Sequence, residues 1–458
     1  MTLPFLDRVD ERAALARFVS NREGGFGVIY GRRRCGKSRL LQEALPSRAT
    51  TYYVGDDREG AIQRASLASE ISRQLPGFDT VRYPDWDALL SRFYKDARPR
   101  SVLALDEFPA LVGAARDLPG VLQKHLDRRP PAGLQVIVAG SSQRLMQGLV
   151  LDRTAPLFGR ATAVIQVQPL QAGWIQRALP LPRAVDAIEA YAVWGGVPRY
   201  WELAADYRHL EEAVQALVLS PLGVLHDEPS RLLLDDMRDT AQAASILSLV
   251  ARGSHRLSEI AARIEKPSTS LVRPMQRLLE LGLIHRDVPF GSTIRDTKRT
   301  LYKVADPFLR YWFRYVEPAW SRLEARQVEA VSTDIGRSFG HHVAGVWEDL
   351  ARSSVAHLPA FGHTWRPASR WWGTGLNRQP MEIDVVAESD DKTSLLLGEA
   401  SWSRVDDSAA RLAGLRHKAE AFPLAAGRKI HLALFSSNSA RVRDVEMFRP
   451  RDVLRALV

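Results

Sequence analysis

The stretch Gly31-Arg-Arg-Arg-Cys-Gly-Lys-Ser38 predicts the architecture of the first part of this chain. It has the spacing G-x-x-x-x-G-K-[S/T], and it lies between the apolar run Phe26-Gly-Val-Ile-Tyr30 and the helical pattern Arg39-Leu-Leu-Gln-Glu-Ala-Leu45. A strand, a glycine turn and a helix in this order direct backbone N–H groups at an anion, at the helix end where the helix dipole favours negative charge. The stretch therefore predicts a site for the phosphates of ATP or GTP.

Two side chains of this stretch have different expected roles in binding the nucleotide. Lys37 would reach the β- and γ-phosphates as a mobile cation, and the Ser38 hydroxyl would hold Mg²⁺. We take ATP as the expected nucleotide. The predicted nucleotide contacts are Gly31, Arg32, Arg33, Arg34, Cys35, Gly36, Lys37, Ser38, Arg39 and Ser141.

Two carboxylates end the apolar run Ser101-Val-Leu-Ala-Leu-Asp-Glu107. A buried strand would bring Asp106 to the Mg²⁺ ion and Glu107 to the water that attacks the γ-phosphate, so we predict Glu107 as general base or water-positioning group. The next apolar run, Leu134 to Val138, leads to small polar residues, and either Ser141 or Ser142 could contact the γ-phosphate from the strand end. Arg160 either points at the transferred phosphate, in its own or a neighbouring subunit, or lies beside a surface turn; we favour the first.

The composition is that of a folded protein, with 45% hydrophobic and 25% charged residues in 458. Lys and Arg (63) exceed Asp and Glu (53), giving a formal charge of +10, which is compatible with nucleic acid as a partner and equally with an arginine-rich genome composition. No apolar run reaches the roughly 20 residues that cross a bilayer, and no secretory signal is visible. The single cysteine, Cys35, suits a cytoplasmic protein.

Between Met237 and Lys303, three short helical patterns precede a polar hairpin, which is the arrangement of a winged helix-turn-helix. As a DNA-binding module, its third helix would present Ser268, Thr269, Ser270, Arg273 and Arg277 to a groove. Its hairpin would bring Arg295, Lys298 and Arg299 to phosphates. The same module could instead be a rigid lid or bind protein.

Three carboxylates in the last part of the chain could share a divalent cation: Glu348 in a helical pattern, Asp384 within the apolar strand Met381–Ala387, and Glu399 near the end of Ser394–Ser401. Carboxylates at adjacent strand ends hold Mg²⁺ in phosphodiester hydrolysis. A carboxylate inside an apolar strand needs such a partner when it is buried. The alternative is three unrelated surface acids.

Taken together, the motifs resemble the archaeal-type P-loop ATPase family, which is related to the STAND and AAA+ ATPases. The matching stretches are GRRRCGKS, LALDE at 103–107, AGSS at 139–142, PLFGR at 156–160, GGVPRYW at 195–201 and YKVADPFLRYWFRYV at 302–316. Phe5-Leu-Asp-Arg-Val-Asp-Glu11 is similar to the Gly-Arg-Glu motif of STAND proteins, with Asp7 in place of the glycine. The resemblance implies ATP and Mg²⁺ as ligands.

The final domain resembles the PD-(D/E)xK restriction-endonuclease-like fold, and this resemblance identifies Asp384 and Glu399 with the metal-binding carboxylates. The expected Glu-x-Lys is Glu399-Ala-Ser401 here, so the lysine is missing from its usual position. Lys418 on the following helix could replace it. Without such a replacement the domain would bind DNA without cutting it, which is the outcome we favour.

We therefore expect an α/β protein with a three-layer P-loop NTPase core on a parallel sheet (1–172). The later domains would be a helical lid (173–236), a winged helix (237–305), an aromatic connector (306–335) and a nuclease-like α/β domain (336–458). The expected function is an ATPase that couples its nucleotide state to DNA contact, with homo-oligomers where Arg160 acts between subunits. The alternatives are a slow ATP-dependent switch that binds protein partners, and an ATP-gated nuclease.

Overall fold

The computed structural model describes residues 3–128, 133–237, 239–293, 299–403, 407–438 and 445–458. The chain divides into two compact units, one of residues 7–169 and one of residues 170–458 together with the start of the chain up to Leu6. The finer divisions expected at 236, 305 and 335 stay predictions. Of the helices in the described ranges, none has both the length and the apolar character needed to cross a membrane.

A five-stranded parallel sheet forms the centre of the first unit, with the strand order β2-β3-β4-β1-β5. The strands are β1 (Gly25–Tyr30), β2 (Thr50–Val54), β3 (Val102–Asp106), β4 (Gln135–Gly140) and β5 (Ala161–Gln166). Every residue of β3 and β4 is buried, as expected for central strands of a sheet covered on both faces.

Seven helices accompany this sheet in the described part of the unit: α1 (Val9–Ser20), α2 (Lys37–Ala44), α3 (Gly60–Ser72), α4 (Trp86–Asp96), α5 (Phe108–Ala114), α6 (Leu118–Asp127) and α7 (Gln143–Met146). A π-helical turn, Gln147–Leu151, continues α7. Because β3, β4 and β1 are neighbours in a parallel sheet, the segments that follow them leave the same edge. This order brings the phosphate loop, Asp106 and Ser141 together.

The second unit begins with helices, and the chain turns sharply between two of them. Helix α9 ends at Trp194 and α10 begins at Pro198. A Cβ on Gly196 would lie 2.0 Å from the carbonyl oxygen of Leu170, and the Leu170 N–H donates to the Gly196 carbonyl at 2.7 Å. Only glycine permits this close approach of two backbone segments.

The helices of this unit up to residue 280 are α8 (Ile175–Ala178), α9 (Ala184–Trp194), α10 (Pro198–Ala204), α11 (Leu210–Val214), α12 (Glu228–Asp236), α13 (Thr240–Ala251), α14 (Leu257–Ile264) and α15 (Ser268–Glu280). Strands β6 (Ile284–Asp287) and β7 (Leu301–Val304) then pair antiparallel. The aromatic segment that follows forms α16 (Pro307–Tyr311) and a π-helical turn, Trp312–Val316. Phe308, Trp312 and Phe313 are buried, as expected for packing residues.

A mixed five-stranded sheet forms the C-terminal domain, with the order β12-β11-β10-β9-β8. Its strands are β8 (Ser369–Thr374), β9 (Pro380–Glu388), β10 (Ser394–Ser401), β11 (Lys429–Ser436) and β12 (Glu446–Phe448). The helices around it are α17 (Trp320–Glu324), α18 (Val328–Ser354), α19 (Ser408–Glu420) and α20 (Pro450–Ala456). Strands β8, β9 and β10 pair antiparallel, while β10, β11 and β12 pair parallel. The predicted class, a parallel α/β core followed by a separate C-terminal α/β domain, is confirmed.

Candidate functional site

The phosphate loop follows β1 and closes around its own lysine. Lys37 is buried, and its Nζ donates to the carbonyl oxygens of Gly31 at 2.9 Å and Arg32 at 3.0 Å. Gly36, which precedes α2, has a φ of 90°, a left-handed conformation that favours glycine. The loop therefore holds the lysine charge at the helix N-terminus, where an anion is favoured.

The other predicted loop contacts differ in exposure. Cys35 and Arg32 are buried, whereas Arg33 is exposed. Arg34 has a φ of 66°. Arg39, in the first turn of α2, lies 4.0 Å from a carboxylate oxygen of Glu43 on the same helix.

Arg8 ties the start of the unit to this loop, a role that the sequence prediction missed. Its Nη2 donates to the carbonyl oxygens of Cys35 at 3.0 Å and Gln168 at 2.7 Å, and its Nη1 pairs with Glu11 at 2.9 Å. Asp7 and Arg8 have φ values of 55° and 72°. Asp7 thus occupies a backbone conformation that favours glycine. The spacing Arg-x-x-Glu was the signal that could have identified the pair.

Asp106 lies fully buried at the end of β3, beside an unpredicted partner, Tyr52. The Tyr52 hydroxyl donates to Oδ2 of Asp106 at 2.6 Å, and the backbone N–H of Glu107 donates to Oδ1 at 2.9 Å. Burial and the neighbouring Asp106 raise the pKa of Tyr52 far above its usual value, while a hydrogen bond with Ser38 acts in the opposite direction. Ser38, Tyr52 and Asp106 therefore meet at one point.

Mg²⁺ at nucleotide sites is bound by one or two protein oxygens, with phosphates and waters completing the octahedron. Ser38 and Asp106 supply a hydroxyl and a carboxylate near the same phenol, which fits this requirement. Tyr52 lies opposite Ala104 in the β2–β3 register, so strand pairing sets its position.

Glu107 contacts the end of the neighbouring strand. Its Oε2 accepts from the Ser141 hydroxyl at 3.0 Å and from the Ser141 N–H at 3.3 Å. Ser142 has a different task, since its hydroxyl accepts from the N–H of Leu145 and caps α7. Of the two serines that the sequence offered, Ser141 lies beside the predicted base.

Arg160 forms an ion pair in the structure. Its Nε and Nη2 donate to the two carboxylate oxygens of Asp127, at 2.7 and 2.9 Å, and its Nη1 donates to the Pro156 carbonyl at 2.8 Å. Its predicted catalytic role stays a prediction. To reach a phosphate, the guanidinium would have to leave Asp127.

Two of the three C-terminal carboxylates already have donors. Asp384, on β9, accepts from the N–H of Ala400 at 3.0 Å, and Glu399, on β10, accepts from Nζ of Lys418 at 2.7 Å. Burial raises the pKa of Glu399 to about 7; Asp384 adds to the rise, and Lys418 opposes it. Lys418 thus contacts one of the expected metal carboxylates, and its role as a replacement lysine stays a prediction.

Glu348, on α18, is the third carboxylate of the expected metal site. Burial and Asp384 raise its pKa to about 7, and Arg352, 3.9 Å away, opposes the rise. The described residues contain no group of three or more His, Cys, Asp or Glu side chains that could hold a metal ion. Asp384 nevertheless interacts electrostatically with both Glu348 and Glu399, and the shared metal site stays a prediction.

The third helix of the expected winged helix is α15, and much of its surface is open. Ser268, Thr269, Ser270 and Arg273 are exposed. Arg277 is less accessible and lies 3.2 Å from Glu280. In the hairpin, Arg299 donates to the carbonyl oxygen of Trp372, whereas Arg295 and Lys298 lie outside the described residues.

Comparisons with known proteins place family resemblances at both ends of the chain. Residues 5–203 match a family described as an ATPase domain predominantly from Archaea, and residues 312–412 match archaeal and bacterial proteins of unknown function. An uncharacterized protein of Methanocaldococcus jannaschii is 26% identical over 413 residues, which are 88% of this chain and 88% of that protein.

Two solved structures are similar to this chain, and the first of them shares its fold. A Walker-type ATPase of Pyrococcus abyssi superposes with a TM-score of 0.52 and 19% identity, over 68% of this chain and 97% of its own. The Orc2 protein of Aeropyrum pernix, solved as ADPNP and ADP complexes, has a TM-score of 0.46 and 16% identity, over 74% of this chain and 97% of its own.

Proposed function

We propose that this chain, which carries an archaeal-type ATPase domain over residues 5–203, hydrolyses ATP with Mg²⁺ and uses its nucleotide state to control contact with DNA. The proposal of ATP hydrolysis rests on two hydrogen-bonded pairs of side chains that lie at the same edge of the sheet. Tyr52 bonds Asp106 beside Ser38, and Glu107 bonds Ser141. A metal-binding group and a base are thus adjacent to a phosphate loop.

The proposed chemistry is the attack of water on the γ-phosphorus, which yields ADP and phosphate. Lys37 and the loop N–H groups bind the phosphates, and Glu107 orients the water and takes its proton. Mg²⁺, held through Ser38 and Asp106, supplies charge neutralisation at the phosphates. Electrostatic positioning of this kind accounts for most of the catalysis of phosphoryl transfer.

Ser141 gives this site a means of sensing the nucleotide. In the structure its hydroxyl donates to Glu107. A γ-phosphate would compete for that donor, because its oxygens are charged acceptors just as the Glu107 carboxylate is. Glu107 would then be released to bind the attacking water, so the base becomes available when ATP is bound.

Arg160 is proposed to act on the phosphate of a neighbouring subunit in a homo-oligomer. Its pairing with Asp127 is solvent-accessible, with 27% and 50% of the two side chains exposed. Exposed pairs contribute little free energy, typically about 0–1 kcal/mol, so exchanging Asp127 for a phosphate is inexpensive. Mixing Lys37→Ala with Arg160→Ala protein should restore hydrolysis if the arginine acts between subunits.

The DNA half of the proposal rests on the exposed face of α15. Three hydroxyl side chains and Arg273 lie open there, and the chain has a formal charge of +10. Hydroxyl and guanidinium groups on one helix are suited to phosphates and base edges. The C-terminal domain is proposed to bind DNA without cutting it, since its carboxylates are held by Ala400 and Lys418.

The test measures ATP hydrolysis with and without double-stranded DNA, and DNA affinity against salt. We expect stimulation that Arg273→Ala reduces, together with a salt slope that falls by about 0.9 for the lost phosphate contact. Arg451→Ala, at an exposed arginine on α20, is the matched control. Hydrolysis that DNA leaves unchanged would favour the protein-binding switch.

Plasmid incubated with Mg²⁺ or Mn²⁺ separates binding from cutting. Intact plasmid agrees with the proposal. Cleavage that Asp384→Ala and Lys418→Ala both abolish would instead establish the ATP-gated nuclease, with Lys418 in the place of the missing lysine.

A further inference from the structure

A cavity of about 520 Å³ lies within the unit of residues 170–458 and has no part in the functions proposed above. Positive side chains dominate its described lining, which includes one carboxylate. The charged lining residues are Arg252, Lys303, Arg310, Arg314, Arg370 and Glu348. A volume of this size is typical of small-molecule sites, which range over about 300–1,000 Å³.

Most of these cations are balanced from outside the lining. The pairs are Arg252 with Glu317 at 2.8 Å, Lys303 with Asp287 at 2.9 Å, Arg310 with Asp349 at 2.7 Å, and Arg370 with Glu382. None of these acids is part of the described lining. The net charge of the cavity lining is therefore more positive than the net charge of the lining and these acids together.

Arg314 is the cation best placed to bind a ligand. It is half-buried, and its guanidinium lies 5.4 Å from the centre of the Tyr315 ring. Within the described ranges no carboxylate forms an ion pair with it. A guanidinium held against an aromatic face keeps its N–H donors for another acceptor.

His342 adds a buried, unsatisfied acceptor to the same wall. It is 1% exposed, and its Nε2 lies 2.7 Å from the carbonyl oxygen of Ala192. Because a carbonyl oxygen only accepts, Nε2 must carry the proton. Nδ1 therefore has a free lone pair and can only accept, and it has no hydrogen-bond partner among the described residues. Burial lowers the pKa of His342 to about 3, so the ring stays neutral.

His255 repeats this arrangement with the opposite tautomer. Its Nδ1 lies 2.9 Å from the carbonyl oxygen of Tyr302 and must donate to it, which leaves Nε2 as an acceptor. Burial lowers its pKa as well. The wall thus combines guanidinium donors, which select an anion, with neutral imidazole acceptors, which select hydroxyl or amino groups.

We infer that this cavity binds the phosphate of a nucleotide, with Arg314 on the phosphate and His255 Nε2 accepting from a hydroxyl or amino group of the ligand. A nucleotide carries both kinds of group, whereas inorganic phosphate carries only the first. The nucleotide is either a free mononucleotide or the 5′-phosphorylated end of a nucleic acid strand. The inference does not depend on ATP hydrolysis at residues 31–38.

The test is calorimetric titration of the full chain, saturated with ADP and Mg²⁺, with AMP as the probe. We expect one binding event whose Kd rises about 10- to 100-fold in Arg314→Ala, the usual loss for a hydrogen bond to a charged group. Arg451→Ala should leave this Kd within about twofold. No binding, or binding that Arg314→Ala leaves unchanged, would overturn the inference.

Two further comparisons keep the test decisive. If Arg314→Ala does not fold, Arg314→Lys and Arg314→Gln replace it; retained affinity only in the lysine variant supports the site, and equal affinity overturns it. An oligonucleotide with a 5′-phosphate that displaces AMP, while its 5′-hydroxyl twin does not, assigns the site to strand ends. AMP binding that neither oligonucleotide displaces assigns it to free nucleotides.

Discussion

The chain holds acidic groups at two sheets, and it holds them by different means. Asp106 and Glu107 receive hydrogen bonds from the neutral hydroxyl groups of Tyr52 and Ser141. Glu399 receives its bond from the charged Lys418, with Asp384 nearby. Neutral donors exchange readily for a ligand, whereas a charged partner beside a second carboxylate does not. We therefore expect the first site to bind and react, and the second to stay paired.

Among the substitutions that test this difference between the two sites, we expect the largest effect from one at Glu107. In Glu107→Gln the side chain keeps its size and its bond with Ser141 but no longer takes a proton. We expect kcat for ATP hydrolysis to fall about 10²- to 10⁴-fold, the usual contribution of a general base. ATP affinity, measured by nucleotide fluorescence, should remain. Unchanged kcat would remove Glu107 from the mechanism.

Lys418→Met tests the claim that the second site depends on charge pairing. Glu399 would lose the hydrogen bond from Lys418 that lowers its pKa, and its ionised form would be left beside Asp384. We expect urea unfolding at pH 8 to show a loss of about 2 kcal/mol, reduced for the 31% exposure of the lysine. At pH 5 Glu399 is protonated and the loss should be small. Lys418→Arg, which keeps the charge, is the control, and equal losses at both pH values would contradict the pairing.

Tyr52→Phe tests whether the neutral hydroxyl donor at Asp106 can be exchanged for a ligand, and its expected effect on stability is smaller. The substitution leaves Oδ2 of the buried Asp106 without its phenol donor, which costs about 1–2 kcal/mol of unfolding free energy. The loss should shrink when ATP and Mg²⁺ are added, since the metal takes the place of the donor. Tyr53→Phe, on the same strand, is the matched control. Equal destabilisation with and without Mg²⁺ would show that Tyr52 is structural only.

Local spacing explains what the sequence could predict. Lys37 and Ser38 follow from one contiguous motif, and Asp106 and Glu107 follow from an apolar strand with a polar end. Tyr52 could not be found in this way, and the Arg-x-x-Glu spacing points only to the pair of Arg8 with Glu11, not to the contacts of Arg8 with Cys35 and Gln168. Tyr52 depends on the pairing of β2 with β3, and Arg8 depends on two left-handed residues at the start of α1.

The C-terminal unit was less predictable because its groups come from distant elements. The sequence suggested Asp384, Glu399 and Lys418. It did not indicate that the backbone N–H of Ala400 would donate a hydrogen bond to the Asp384 carboxylate. The lining of the basic cavity is drawn from residues 250 to 370, and no short pattern joins Arg314 to His342.

Glu348 offers the finest test of the contrast, because burial and the neighbouring carboxylate of Asp384 both disfavour its ionised form. Burial and Asp384 raise its pKa to about 7, from about 4.5 in the unfolded chain. Below pH 4.5 both states are protonated and nothing is lost. Between pH 4.5 and 7 the unfolded chain releases the proton first, so stability falls as pH rises. Glu348→Gln removes this loss. After allowing for the attraction of Arg352 and for the partial exposure of Glu348, we expect the free energy of unfolding to rise by roughly 1 kcal/mol at pH 8 and to stay unchanged at pH 4.5. Urea unfolding at the two pH values measures it. A loss of stability at pH 8 would mean that the ion pair with Arg352 outweighs the repulsion from Asp384, and the second site would then be held by attraction throughout.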